Sequence, residues 1–129
     1  MDAPSKGYEF GLDLDERLLT FRLWGLWDDQ TIRTFQDRFR DHLEKLGPGP
    51  FRVYVDLSRF PPQRADIGKG AQEMMVLATR SGMTRAAHLV GKAMTELQIK
   101  RLAAEVNAPE FQFFKTEKEA LDWLSQSDS

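Results

Sequence analysis

The most informative part of the sequence extends from Phe51 to Met83 and reads FRVYVDLSRFPPQRADIGKGAQEMMVLATRSGM. Its first residues, Phe51–Val55, are mostly aromatic or β-branched, which predicts a buried central strand that ends on Asp56. Pro61-Pro62 predicts a loop, because proline lacks the N–H that helices and sheets need. A helix is then expected from about Asp66 to Gly82. Strand, loop and helix start together form the place where an α/β domain usually keeps its function.

The residues before this stretch predict an antiparallel hairpin and one amphipathic helix. Tyr8–Leu14 and Leu18 to about Trp27 both alternate apolar and polar residues, and a short polar break separates them. Asp28 and Asp29 are suitable N-cap residues for the helix that follows. The sequence GPGP at 47–50 ends that helix. Its apolar stripe consists of Ile32, Phe35, Phe39, Leu43 and Leu46.

The residues after Met83 predict two further pairs of strand and helix. Arg85–Val90 and Phe111–Phe114 have the composition of strands. Thr95 with Gln98, and Thr116 with Glu119, have the spacing of capping boxes that begin the third and fourth helices, and Asn107-Ala108-Pro109 is expected to end the third. The residues expected to dock these two helices are Ile99, Leu102, Ala103, Val106, Ala120, Leu121 and Leu124.

The element order β-β-α-β-α-β-α-β-α predicts a single α/β domain. After the N-terminal antiparallel hairpin, strands alternate with helices, which requires a mixed, mostly parallel sheet with helices packed on it. We expect the domain to span residues 8–124, between an N-terminal tail of residues 1–7 and a C-terminal tail of residues 125–129.

The composition of the 129 residues excludes several classes of protein. A hydrophobic content of 41% and a charged content of 29% indicate a globular chain. The net charge of -2, without a cluster of Lys or Arg, argues against a nucleic-acid partner. The absence of cysteine excludes disulfides and thiolate zinc sites and fits a reducing cytoplasm, where we expect the protein. The sequence has no run of roughly 20 apolar residues, so we expect no integral membrane segment.

Three short motifs, in this order, resemble those of STAS-like domains. They are GLWD at Gly25–Asp28, VYVDL at Val53–Leu57 and EALDWL at Glu119–Leu124. The family is typified by bacterial anti-sigma factor antagonists, and the chain looks closest to the SpoIIAA-like branch of small stand-alone bacterial proteins. The resemblance covers the chain from about Tyr8 to Leu124. It implies a STAS-like fold and a regulatory protein that acts through contacts with other proteins.

The phosphorylation switch of the antagonists does not carry over to this chain. In the family, an Asp-Ser-Ser-Gly segment begins the second helix, and a serine there is phosphorylated by the partner kinase. The corresponding residues here, Gln63–Gly68, contain neither serine nor threonine. Asp66 lies nearest to that serine, and we expect its carboxylate to act as a helix cap.

The residue types that carry catalysis are present only as isolated side chains. Ser58 follows Asp56 by two residues and is expected to bond the local backbone at a turn, since no nucleophile elbow surrounds it. His42 is expected in solvent, and His88 is expected to be a hydrogen-bonded residue of a strand. We therefore expect that the protein is not an enzyme and that it binds neither a metal nor a cofactor. An enzyme would need Asp56, Ser58 and His88 to converge.

The second helix has more apolar residues than one face can hold. Met74–Ala78 is a run of five, so Val76 and Leu77 must point sideways or outward while Ile67, Met74 and Met75 face the sheet. One interpretation is a helix wedged between neighbours or buried in a homodimer. The other is a mobile, methionine-rich helix that covers an apolar pocket or contacts a partner.

Two functional hypotheses follow. The first is a non-enzymatic STAS-like regulatory module that binds a protein partner or a second copy of itself. The second is a carrier or sensor of a small apolar or lipid-like ligand beneath the second helix; some SpoIIAA-like proteins resemble lipid-transfer domains in topology. The predicted binding residues are Asp56, Ser58, Asp66, Ile67, Met74, Met75, Val76 and Leu77.

Overall fold

The computed structural model describes residues 5–108 and 110–126. Pro109 and parts of both predicted tails, residues 1–4 and 127–129, lie outside the described residues. The strands are β1 (Gly7–Asp13), β2 (Leu18–Trp24), β3 (Phe51–Arg59), β4 (Met83–Val90) and β5 (Phe111–Phe114). The helices are α1 (Asp29–Leu46), α2 (Ala65–Ser81), α3 (Ala93–Glu105) and α4 (Glu117–Leu124).

The five strands form one mixed sheet in the order β1-β2-β3-β4-β5. β1 pairs antiparallel with β2, and every other neighbouring pair is parallel. Helices α1, α2 and α3 share one large core with the sheet, while α4 forms a smaller core on the opposite face. The predicted α/β class, hairpin and element order are confirmed.

An aromatic cluster fixes α1 on the hairpin. The ring of Phe35 lies at the centre, with centroids 5.4 Å from Phe10, 5.6 Å from Phe21 and 5.1 Å from Trp27. Aromatic pairs at such distances stabilise beyond the area they bury. The cluster also fixes the end of β2 and the start of α1, where Trp27 lies.

One of the residues predicted to dock α4 is wrong, and the smaller core shows why. Ala120 and Leu124 are buried as predicted, but Leu121 is exposed to 37% and Trp123 takes its place in the core. The ring of Trp123 packs on Phe114 at 5.6 Å. Trp123 comes two residues after Leu121. Its indole is larger than a leucine side chain and therefore covers more of the surface over β3 to β5.

β4 begins at Met83, two residues before the predicted start, and the carboxyl ends of β2 and β3 differ most from the prediction. β2 ends at Trp24 because Gly25 turns the chain with a φ of 79°. β3 does not end at Asp56 but continues to Arg59, since both neighbours still pair with it: Asp56 lies opposite Leu89, and Arg59 opposite Trp24. Asp56 and Ser58 are therefore strand residues, not residues of a loop.

One capping box is confirmed and the other is wrong. Glu119 donates its backbone N–H to Oγ1 of Thr116 over 3.2 Å at the start of α4. α3 begins at Ala93, before the predicted Thr95 cap. The Thr95 hydroxyl is buried and donates instead to the carbonyl of Phe60 over 2.7 Å, because the loop after β3 needs that bond.

Candidate functional site

The loops that follow β2, β3 and β4 meet at one edge of the sheet. These strands are parallel, so their carboxyl ends lie side by side. The backbone N–H of Gly25, in the first loop, donates to the carbonyl of Arg59 at the end of β3 over 3.3 Å. We call this the carboxyl edge; it is where α/β domains commonly bind their ligands and partners.

A buried glutamine joins the loop after β2, the loop after β3 and α3. Oε1 of Gln63 accepts from the backbone N–H of Trp27 over 2.8 Å, and its Nε2 donates to the carbonyls of Gly25 and Pro61. Its main chain exchanges two further bonds with the side-chain amide of Gln98 in α3, at 2.9 and 2.8 Å. The sequence gives no sign of this role, because a glutamine after two prolines has the composition of any polar loop.

Three large apolar side chains are exposed at the carboxyl edge. Leu26 follows β2 and is 68% exposed, and Met94 and Leu97 in the first turns of α3 are 63% and 48% exposed. β2 and β4 are separated by one strand, hence by roughly 10 Å. Leu26 shares a surface depression with Pro61 and with Lys92, which immediately precedes α3. We call Leu26, Met94 and Leu97 the edge patch; no pattern in the sequence distinguishes these three residues.

Asp56 and Ser58 lie together, but away from the predicted binding helix. Oδ1 of Asp56 accepts from Oγ of Ser58 over 2.6 Å and from its backbone N–H over 2.9 Å. The other carboxylate oxygen of Asp56 lies 3.7 Å from Nε of Arg22. Both side chains are on the face of the sheet that carries α4, because Val55 and Leu57, which alternate with them along β3, belong to the large core on the other face. Ser58 does make the expected local bond, although within a strand.

His88 does not join them. In the parallel register it lies opposite Val55, so its ring points into the large core, on the other side of the sheet from Asp56. The sheet therefore separates His88 from Asp56 and Ser58, so the three residues that an enzyme would have required do not converge.

Asp66 is not the cap that the sequence predicted. α2 begins at Ala65, and its N-cap residue, Arg64, makes no side-chain cap bond. Asp66 lies inside the first turn, where Nε of Arg64 donates to it over 2.8 Å and lowers the pKa of its carboxyl. Nη2 of Arg64 also lies 2.5 Å from Asp29 at the start of α1. The arginine thus ties the starts of α1 and α2 together at the rim of the carboxyl edge.

α2 is wedged between α1 and α3. Ile67 and Met74 are fully buried against the sheet, while Met75, Val76 and Leu77 are half-buried along the sides. Gly70 permits close contact with α1, because a methyl group there would lie 2.6 Å from Cγ1 of Ile32. The first interpretation of the apolar run, a helix between neighbours, accounts for most of its surface.

An apolar cavity of about 90 Å³ lies beneath α2, between that helix, its neighbours α1 and α3, and the sheet. Its lining includes Ile67, Met74, Ala78, Ile99 and His88. Nδ1 of His88 is buried and has no hydrogen-bond partner among the described residues, so the predicted hydrogen bond is not made there. Burial lowers the pKa of His88 to about 4 and keeps its imidazole neutral.

Two features are absent from residues 5–108 and 110–126. No three His, Asp or Glu side chains are grouped so that they would hold a metal ion. None of the helices there combines the length and apolar character that spanning a bilayer requires.

The sequence matches the SpoIIAA-like family model over residues 18–125, from the start of β2 to the end of α4. The chain belongs to the SpoIIAA-like family. Two solved structures share its fold. An uncharacterized protein of the DUF3478 family with a SpoIIAA-like fold, from Shewanella loihica, is 17% identical, with a TM-score of 0.72 over 96% of this chain and 98% of that one.

The second is an anti-sigma factor antagonist from Mycobacterium paratuberculosis, 13% identical, with a TM-score of 0.60 over 98% of this chain and all of that one. No curated protein matches the sequence. Both structural likenesses extend over nearly the whole SpoIIAA-like chain, which confirms the predicted fold. The SpoIIAA-like scaffold here presents Gln63–Gly68, without a hydroxyl group, at the start of α2.

Proposed function

We propose that this SpoIIAA-like protein is a non-enzymatic, cytoplasmic regulatory module that binds another protein through its edge patch. The observation that carries the proposal is the exposure of Leu26, Met94 and Leu97 together at the carboxyl edge. Single exposed leucines are ordinary, but large apolar side chains grouped at the functional edge of an α/β sheet are typical of a contact surface. Methionine adds adaptability to such a surface.

The support beneath the patch favours a fixed binding geometry. Gln63 connects the loops after β2 and β3 with α3, and Thr95 fixes the first turn of α3 to the carbonyl of Phe60. A patch held in place loses little conformational entropy on binding. The likeness to an anti-sigma factor antagonist favours a protein as the occupant. A second copy of this chain is the alternative occupant, which would form a homodimer.

The predicted residue Asp66 and its partner Arg64 lie at the start of α2, and we propose that they form the polar rim of this surface. Their mutual ion pair leaves the start of α2 with a fixed carboxylate close to the position where the antagonists carry a phosphorylated serine. We therefore propose that binding is constitutive at this position and is not switched by phosphorylation of α2.

A photo-crosslinking amino acid tests the proposal. Placed at Leu26 or Met94, it should form a crosslinked product with a defined protein in cell extract, or with a second copy in the purified protein. The same amino acid at Leu14, which is 56% exposed far from the edge, is the matched control. Equal crosslinking from positions 14, 26 and 94, or none from any, would remove the support for the edge patch.

A second candidate function is the binding of a small apolar ligand beneath α2. The cavity of about 90 Å³ favours it. Pockets for drug-sized ligands occupy roughly 300–1,000 Å³, so a lipid with a full acyl chain does not match this volume. A ligand of a few heavy atoms does, and Met74 and Met75 would adjust around it.

A further inference from the structure

β1 is an edge strand of the sheet. It pairs with β2 residue for residue from Gly7 to Asp13, and among the described residues no strand pairs with its other side. In a strand with one neighbour, alternate main-chain N–H and C=O groups point away from the sheet and stay available for pairing. β1 therefore offers main-chain hydrogen bonds over a length of roughly 20 Å.

β1 lacks the features by which proteins usually protect such an edge. Its seven residues contain no proline and no lysine, and its register with β2 is continuous, without a bulge. The opposite edge of the sheet, β5, is protected by its length of only four residues. The long and regular edge of β1 is therefore the place in this sheet where a further strand can be added.

The two faces of β1 differ in their chemistry. Tyr8, Phe10 and Leu12 lie against the large core, but each remains partly exposed. Glu9 and Asp13 are on the other face and are exposed. Neither carboxylate forms an ion pair with a described residue. A strand added to β1 would meet apolar surface on one face and negative charge on the other.

The surroundings of the charged face are acidic as well. Glu9 and Glu117, the first residue of α4, line one surface depression of about 330 Å³. Within the described part of the chain, Glu117 also has no ion-pair partner. Among the described residues of this lining, the only basic side chain is Arg22, and its Nε lies 3.7 Å from Asp56. The negative charge of Glu9 and Glu117 is therefore available to a basic partner.

We propose that β1 binds an extended segment of a partner protein in which lysine or arginine alternates with apolar residues. The segment joins the five-stranded sheet as a further strand, by β-augmentation. Because side chains alternate along a strand, its apolar residues extend the row of Tyr8, Phe10 and Leu12, and its basic residues meet Glu9 and Asp13. A second copy of β1 fits less well, since it brings the carboxylates of both copies onto one face.

Two synthetic peptides test the proposal. In the first, lysine and valine alternate; the second has the same composition, with all lysines in one block. Their affinities are measured by fluorescence anisotropy at low salt, and amide hydrogen exchange locates the bound peptide. We expect the alternating peptide to bind roughly 10-fold more tightly, because only its valines all lie on one face of a strand. It should also slow the exchange of amides in β1.

Three variants of the protein separate the contributions. Glu9→Lys reverses one charge of the exposed face and should weaken the alternating peptide by roughly 10-fold. Glu44→Lys, at an exposed position of α1, changes the net charge equally and should alter the affinity by less than about 2-fold. Leu97→Ser changes the edge patch and should leave the affinity unchanged, so the two surfaces succeed or fail separately.

Each readout can overturn the proposal. Equal binding of the two peptides, or equal weakening by Glu9→Lys and Glu44→Lys, would mean that charge attracts the peptide without strand pairing. Slowed exchange confined to amides outside β1 would place the contact elsewhere. No binding to the wild type would show that the edge does not accept such a strand. A purified protein that is a dimer with protected β1 amides would make a second copy the occupant.

Discussion

The backbone N–H of Trp27 donates to Oε1 of Gln63 over 2.8 Å, in the interior, between the loop after β2 and the loop after β3. Replacing Gln63 by alanine leaves that N–H buried without a partner. We expect Gln63→Ala to lower the free energy of unfolding by about 2–3 kcal/mol, measured by urea denaturation. Gln30→Ala, at an exposed helix position, is the control and should change it by less than about 0.5 kcal/mol. Equal effects from the two variants would contradict the role given to Gln63.

Two glycines of α2 should respond oppositely to alanine. A methyl group at Gly70 would lie 2.6 Å from Cγ1 of Ile32, whereas at Gly68 the nearest atom, Nε2 of Gln98, would be 3.4 Å away. We expect Gly70→Ala to destabilise the protein and Gly68→Ala to stabilise it by up to about 1 kcal/mol through helix propensity. Thermal unfolding of both variants checks the close contact between α1 and α2. A stabilised Gly70→Ala would show that the contact is looser than described.

The burial of His88 predicts that the protein loses stability in mild acid. Its pKa is lowered to about 4 in the folded protein, from an ordinary 6.5. Above pH 6.5 the ring is neutral in both states, so its contribution is fully present. As the pH falls from 6.5 towards 4, the unfolded chain takes up the proton first and stability falls by about 3 kcal/mol.

Urea denaturation across this pH range measures the effect. His88→Leu should flatten the curve between about pH 6.5 and pH 4 and leave the steeper loss at lower pH, where carboxylates such as Asp28 titrate, unchanged. Wild-type and variant curves of the same shape would show that His88 is hydrated in the native state.

Arg17 ties the end of α1 to the loop that follows it. Nη1 donates to the carbonyl of Leu46 over 2.8 Å and Nε to the carbonyl of Pro50 over 2.7 Å. Charge-assisted bonds of this kind stabilise by about 1.5–3 kcal/mol, so Arg17→Ala should lower stability by about 2 kcal/mol. Arg17→Lys should recover little of this stability, because the single nitrogen of an ammonium group cannot replace two guanidinium nitrogens that bond separate carbonyls. Full recovery by lysine would mean that charge alone matters there.

The sequence was sufficient for the fold because the apolar spacing and the turn residues agree at nearly every element. The stripe of α1, the GPGP stop and the aromatic residues of β3 each specify one local structure, and the chain satisfies all three. The errors arose where a tertiary bond competes with a local one. Thr95 has the spacing of a cap but bonds the loop of Phe60.

The site was harder to predict for a related reason. The apolar run Met74–Ala78 was conspicuous in sequence, yet its neighbours α1 and α3 cover most of it. Leu26 and Met94 were inconspicuous because each is an isolated apolar residue, and only the parallel pairing of β2, β3 and β4 brings them to one edge. Side chains grouped by topology leave no periodic pattern in the chain.

The most direct measurement of the central claim is the affinity of the crosslinked partner for two matched triple variants. Leu26→Ser, Met94→Ser and Leu97→Ser together remove the edge patch, whereas the control replaces exposed apolar residues elsewhere, Leu14 and Leu121, and the exposed residue Lys45 in the last turn of α1, by serine. Calorimetry should show a loss of roughly 100-fold or more for the first variant, since interface-core residues carry about 1–2 kcal/mol each, and less than about 3-fold for the second. Equal affinities of the two variants would contradict the claim that this SpoIIAA-like protein binds through its carboxyl edge.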